Sequence, residues 1–280
     1  MMILKKTSDL SAYIDNQREK GGKIGFVPTM GALHQGHISL INLSKNENDD
    51  TICSIFVNPT QFNNPEDFEK YPITIDHDIE LLEAAGCDVL FLPSLEEIYP
   101  ANFNNKRYEL GKLDTILEGK HRPGHFQGVC MVVDRLLAIV SCDILYLGQK
   151  DYQQCLVLKK MIELEKLGVT ITIAATVREK NGLAMSSRNS RLSDQEKKQA
   201  LCIYQSLESL KKNIQPGDLT ELKEKAINII SDASFVIDYL DITDINLNPI
   251  HNWDGQINLI GLVAASTNQV RLIDNMMITS

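Results

Sequence analysis

Between residues 24 and 176, short apolar runs alternate with stretches of helical periodicity, and this alternation restricts the fold more than any other feature of the chain. Residues 24–27, bounded by Gly22 and Pro28, read as a buried strand. Residues 36–44 then carry Ile38, Leu40, Ile41 and Leu43 in a helical pattern. A strand at 51–57 stops at Asn58-Pro59, a helix at 75–85 is capped by Gly86, and 89–92 is a further strand. Beyond a polar, Asn-rich stretch come a long apolar helix at 127–140, a strand at 144–147, a helix at 152–167 ending at Gly168, and a strand at 169–176. Strands that alternate with helices need parallel crossovers, so the expected fold class is α/β with a doubly wound parallel sheet.

Past Arg191 the texture changes. Residues 194–212 and 219–230 look like charge-rich amphipathic helices, and 235–242, 256–266 and 270–278 like antiparallel strands. A boundary is expected near 176–187, giving a domain at 1–176 and a smaller α+β domain at 177–280, with no internal repeat or low-complexity linker. A length of 280 residues allows this division.

The net charge of −9 argues against a non-specific nucleic-acid binder but leaves room for a local cationic pocket. No run approaches the ~20 apolar residues of a membrane helix, and the N-terminus shows no signal-peptide pattern. Six scattered cysteines without a C-x-x-C read as reduced, buried side chains of a cytoplasmic protein and argue against structural zinc.

Three segments carry chemistry. The strand at 24–27 empties into Pro28-Thr29-Met30-Gly31-Ala32-Leu33-His34-Gln35-Gly36-His37. In an open parallel sheet, ligands bind beyond the carboxyl ends of the strands, where helix N-termini present N–H groups. Gly31 and Gly36 permit close backbone approach, and His34 and His37, three apart, can face the same way to meet a phosphate that gains charge. An alternative is that one His merely caps the turn. A metal pair would need further ligands, which His121 and His125 could supply only by coincidence. No Walker A or G-x-G-x-x-G sequence is present.

The second segment, Gly148-Gln149-Lys150-Asp151-Tyr152-Gln153-Gln154, follows the 144–147 strand. Its Lys can bind phosphate and its Asp can bind a ribose hydroxyl or Mg2+, or Asp151 can simply cap a helix. The third, Met185-Ser186-Ser187-Arg188-Asn189, offers two hydroxyls and a planar fork to a departing pyrophosphate, or is only a turn.

P-T-M-G-A-L-H-x-G-H, F-V-N-P-x-Q-F at 56–62, Tyr71-Pro72, H-R-P-G-H-F at 121–126, G-x-K-D-x-Q-Q, Arg178-Glu179 and M-S-S-R-N resemble, in order and spacing, the motifs of the pantothenate synthetase (pantoate–β-alanine ligase) family. The resemblance covers 22–191; beyond it only the order of helices then strands is similar. It implies a Rossmann-like, HIGH-type nucleotidylyltransferase domain, a lid-like C-terminal domain and a cytoplasmic homodimer, with no nucleic-acid or membrane partner. It also implies condensation of (R)-pantoate with β-alanine through a pantoyl-adenylate, with ATP and Mg2+, releasing pyrophosphate and AMP.

Carried onto matching positions, Met30, Gly31, Ala32, Leu33, His34, Gln35, Gly36 and His37 form the main ATP loop, with His37 as proton donor. Gly148, Gln149, Lys150, Asp151, Val177, Met185, Ser186, Ser187 and Arg188 also bind ATP. Gln61 and Gln154 hold pantoate, and Gln61 touches β-alanine as well. His34, His37 and Lys150 are the expected catalytic residues, and the protein ligands of Mg2+ stay open. Two buried amides suit the hydroxyls and carboxylate of pantoate. The chain departs from the usual pattern at Ile73, at the Asp76-His77-Asp78 cluster, at Gln149 and at Asn181. A different HIGH-type adenylyltransferase is the rival; Gln61 and Gln154 speak against it, because a phosphate acceptor would favour Arg or Lys there.

Overall fold

The computed structural model describes residues 1–267 and 270–279, and the chain divides into two compact units. The first comprises residues 1–148 and 153–175. Its elements are β1 (Met2–Leu4), α1 (Thr7–Glu19), β2 (Ile24–Thr29), α2 (Gln35–Glu47), β3 (Asp50–Ile55), α3 (Pro65–Glu69), α4 (Ile75–Ala84), β4 (Val89–Phe91), α5 (Leu95–Ile98), α6 (Leu117–His121), α7 (His125–Val140), β5 (Ile144–Gly148), α8 (Tyr152–Glu165) and β6 (Thr170–Ala174). All the strands pair in parallel, in the order β1-β4-β3-β2-β5-β6, as the alternating pattern requires.

Period-two alternation sends successive side chains to opposite faces. Phe26, Ile52, Val89, Phe91, Leu145 and Leu147 join one core with α1, α7 and α8. Val27, Cys53, Ile55, Leu90, Ile144 and Tyr146 join the other with α2 and α4. Helices thus cover both faces, which is the doubly wound α/β class expected. Sequence reading missed β1 and α1. The edge strand β1 is only three residues long, and α1 buries only Leu10 and Ile14, too sparse a stripe to read as a helix.

The second unit comprises residues 149–152 and 176–280 as a group. Its elements are α9 (Asp194–Gln199), α10 (Leu201–Asn213), β7 (Gly217–Asp218), α11 (Thr220–Asp232), β8 (Val236–Asp244), β9 (Asn252–Trp253), β10 (Leu259–Ser266) and β11 (Arg271–Met277). An antiparallel sheet in the order β11-β10-β8 shares a core with α10 and α11. The single helix expected at 194–212 is two. At buried Ala200 the ladder tightens, and the Ile203 N–H bonds the Ala200 carbonyl at 3.1 Å. The expected boundary put residues 149–152 with the first unit, whereas their contacts group them with the second. Among the described residues, no helix is long and apolar enough to cross a membrane.

Candidate active site

The sheet order runs outward in opposite senses from β2 and β5, so the crevice at their carboxyl ends is the switch point of the fold. β2 pairs with β3 along its whole length but with β5 only at Gly25 and Phe26. Pro28, which lacks an N–H, therefore lies past the end of the β5 ladder and costs that ladder nothing. From there the chain enters the loop that bears both histidines.

His34 is the N-cap of α2. Its Nδ1 accepts the Gly36 N–H at 3.1 Å, and its own N–H is accepted by His37 Nδ1 at 3.2 Å. H-x-x-H thus forms a reciprocal capping box. The ring centroids are 4.1 Å apart. With both Nδ1 atoms acting as acceptors, the neutral tautomers carry their protons on Nε2, so each ring bears a donor at a helix N-terminus. Capping and phosphate binding are therefore compatible roles for the same rings.

The loop itself is held by Asp78 in the first turn of α4. This wholly buried carboxylate accepts the Leu33 N–H (2.8 Å) and the Thr74 hydroxyl (3.0 Å) on one oxygen and the Ala32 N–H (2.9 Å) on the other. Gly31 has φ +81°, and a Cβ there would lie 3.0 Å from Ile55 Cγ2 and 3.1 Å from Asp78 Oδ2, so only glycine fits. Sequence reasoning noted Asp78 only as part of a broken acidic cluster. The signal available was a capping-turn acid one strand away, which is not specific. Its neighbour His77 is exposed and lies beside Glu80, and Ile73 is exposed as well.

Gln61 is fixed at three points. Its backbone carbonyl meets His125 Nδ1 at 2.8 Å, its side-chain oxygen accepts from Asn58 at 3.1 Å, and its amide nitrogen lies 3.0 Å from Met30 Sδ in the histidine loop. Asn58 is itself held by the Gly128 carbonyl and the Tyr99 hydroxyl. α7 approaches this turn so closely that a Cβ on Gly128 would sit 2.4 Å from the Thr60 carbonyl oxygen. Of the adjacent amides in α8, Gln153 is the buried one, and its side chain bonds Glu118 N–H, Leu113 O and Ile116 O. Gln154 is half-buried and, among the described residues, makes no side-chain hydrogen bond. Gln61 is also half-buried, so the expectation of two buried amides is corrected: both keep solvent contact, and the buried Gln153 is a structural tie.

In the second unit, Gln149–Asp151 forms a single 3-10 turn, with Lys150 Nζ 3.9 Å from Asp151 Oδ1. A Cβ on Gly148, just before it, would meet nothing within 4 Å among the described residues, so space lies open above that backbone. Val177 and Met185, far apart in the motif order, face each other across a hairpin: the Met185 N–H bonds the Val177 carbonyl at 3.0 Å. Asn181 Oδ1 accepts the Leu183 N–H at the hairpin tip, a bond that an Asp would make equally well. Ser186 then caps the turn Ser187–Arg191 by accepting the Arg188 N–H at 3.3 Å. The motif residues thus form two groups, one in each unit. Among the described residues, no cluster of three or more His, Cys, Asp or Glu side chains could hold a metal ion.

The family model described as pantoate-beta-alanine ligase matches residues 2–277. This chain belongs to the pantoate-beta-alanine ligase family. A pantothenate synthetase of Cytophaga hutchinsonii is 43% identical over 282 residues, covering 99% of each chain. The crystal structure of pantothenate synthetase from Thermus thermophilus is similar with a TM-score of 0.89 and 36% identity, covering 100% of both chains. The pantoate-beta-alanine ligase of Francisella tularensis, solved in complex with beta-gamma ATP and beta-alanine, has a TM-score of 0.84 and 39% identity, covering 100% of this chain and 98% of its own. Membership in the ligase family makes the chain an acid–amino-acid ligase that forms a C–N bond.

Proposed function

We propose that the enzyme joins (R)-pantoate to β-alanine through a pantoyl-adenylate. The observation that carries the reading is the reciprocal capping of His34 and His37, which sets two Nε2–H donors on a helix N-terminus beyond the switch point of the sheet. A pantoate carboxylate oxygen attacks the α-phosphorus of ATP, the α–β phosphoanhydride bond breaks, and pyrophosphate leaves. The amine of β-alanine then attacks the acyl carbon, the acyl–phosphate bond breaks, AMP leaves, and the amine proton passes to solvent.

In this reading Met30, Gly31, Ala32, Leu33, His34, Gln35, Gly36 and His37 receive ATP, with the two rings donating to phosphate oxygens as charge builds. Gly148, Gln149, Lys150, Asp151, Val177, Met185, Ser186, Ser187 and Arg188 complete the ATP set. Lys150 acts as a point charge and Arg188 as a two-pronged fork. Gln61 and Gln154 hold pantoate, and the oriented Gln61 also receives β-alanine.

The donor set fits Mg2+ that arrives on the nucleotide. The ion needs one or two carboxylates besides phosphate and water, and half-exposed Asp151 beside Lys150 is the candidate. When bound, it neutralises phosphate charge. A cytoplasmic homodimer belongs to the same reading.

The second unit is proposed as a lid, because an acyl-adenylate must be kept from water. ATP plus pantoate should then slow proteolysis in 177–191, and unchanged cleavage would exclude the lid. The test of the reaction itself is product analysis. Pyrophosphate should form from ATP and pantoate alone, and AMP release should require β-alanine. Formation of ADP and inorganic phosphate would refute the adenylate.

A further inference from the structure

Asp274 and Asn275 interrupt the apolar run of β11 opposite Val263 and Leu262 of β10, and they are only 4% and 3% exposed. A carboxylate and an amide so deeply buried are costly unless their polar atoms are matched. Here the matches go almost entirely to two segments outside the sheet.

Asn275 Nδ2 donates to the main-chain carbonyls of both Gln149 (2.9 Å) and Lys150 (2.8 Å), and its Oδ1 accepts from Gln149 Nε2 at 3.3 Å. Asp274 receives both prongs of Arg178, at 2.6 and 3.0 Å, together with the Asn275 N–H at 2.7 Å. Arg178 also donates to the Asn275 carbonyl and to Gly182 O, so it locks the hairpin that ends at Met185 and leads into Ser186. Its guanidinium lies 5.1 Å from the Tyr204 ring centroid.

A three-residue 3-10 turn has too few bonds of its own to fix a flexible lysine stem. We propose that Asp274 and Asn275 form a positioning pair. Asn275 sets the main chain under Lys150, and Asp274, through Arg178, sets the arm that carries Ser186 and Arg188, so that one strand holds two phosphate-binding segments in register. This rests on the ATP roles proposed above for those segments. Neither β11 residue touches substrate. Their effect passes through Lys150 and the 177–188 arm, where a displacement of about 1 Å is enough to lose about two orders of magnitude in rate.

The test compares Asn275→Asp, isosteric but unable to donate, and Asn275→Ala, each in the wild type and in a Lys150→Ala background. Pantoate-dependent ATP–pyrophosphate exchange is the kinetic readout. In exchange each variant should raise the KM for ATP about tenfold or more and should add less than about twofold once Lys150 is gone, while the KM for β-alanine, read from AMP release, stays within about twofold. Arg271→Ala removes the ion pair from β11 to Asp238 and measures simple loosening of the strand; it should leave exchange within about twofold. Hydrogen exchange should quicken at 149–152 in the Asn275 variants while β8 and β10 stay protected. An unchanged ATP KM, equal losses in both backgrounds, or a uniform rise in hydrogen exchange across the unit would overturn the proposal. A wild type without pantoate-dependent exchange would instead refute the adenylate reading, and hydrogen exchange at 149–152 would still decide whether Asn275 holds the turn.

Discussion

The histidine loop and the lysine turn are both short, and each follows a parallel strand, but they are fastened differently. In the loop, part of the fastening lies inside the motif, because His34 and His37 cap one another. Further fastening comes from Asp78, whose oxygens take the Ala32 and Leu33 amides. In the turn, the carbonyls of Gln149 and Lys150 are held by Asn275, 126 and 125 residues away. Changing the loop's chemical residues therefore also removes part of its fastening, whereas the main-chain bonds that hold the turn depend on no motif side chain.

The largest effect is expected at Asp78. Asp78→Ala takes the carboxylate away from the buried Leu33 N–H and the half-buried Ala32 N–H, at about 1–3 kcal/mol each, so stability measured by urea denaturation should fall by about 2–6 kcal/mol. Pyrophosphate formation should fall as well, because the loop that presents both histidines loses its anchor. A stable variant with a slow reaction would mean that Asp78 acts on chemistry alone.

His37→Ala and Lys150→Ala should each slow pyrophosphate formation by about 10²–10³-fold. Their melting curves should differ. His37 accepts an N-cap N–H, so its loss should also cost about 0.5–2 kcal/mol of stability, whereas the partly exposed Lys150 makes no comparable bond among the described residues. Equal melting shifts would break the contrast between a self-capped loop and a remotely held turn.

A smaller effect is expected at Gly128, where an added Cβ would meet the Thr60 carbonyl oxygen at 2.4 Å. Gly128→Ala should cost about 1–3 kcal/mol by overpacking. It should raise the KM for pantoate more than that for ATP, because the displaced turn carries Gln61. An ATP effect as large as the pantoate effect would place Gln61 in nucleotide binding.

The sequence makes the parallel α/β layering legible because the strands β2 to β5 feed both cores with alternate side chains. It makes the histidine, lysine and Ser–Arg segments legible because each is compact and chemically loaded. Asp78, His125, Gly128, Arg178 and the Asp274–Asn275 pair are another matter as positioning groups, even where their residues fall within a motif. Each acts across tens of residues through a buried polar bond or a backbone approach, and a linear pattern records neither. Gln153 and Gln154 show the same limit at close range. One helical step decides that the first is consumed by Glu118, Leu113 and Ile116 while the second stays available for a ligand.

The smallest effect is expected at Gln149, and it probes which bonds carry the remote fastening. Gln149 Nε2 lies 3.3 Å from Asn275 Oδ1, a long contact, whereas the two main-chain bonds from Asn275 measure 2.9 and 2.8 Å. Gln149→Glu removes the donor and sets a carboxylate against the Asn275 oxygen, but it leaves both main-chain acceptors in place. The expected loss is no more than about 1 kcal/mol of stability, near the net worth of one hydrogen bond, and about a two- to fivefold rise in the KM for ATP. Thermal denaturation and ATP titration of the exchange rate measure both. A loss as large as that of Asn275→Asp would mean that the side-chain contact, rather than the pair of main-chain bonds, fixes the lysine turn. The fastening would then depend on a residue inside the motif, and the contrast with the histidine loop would disappear.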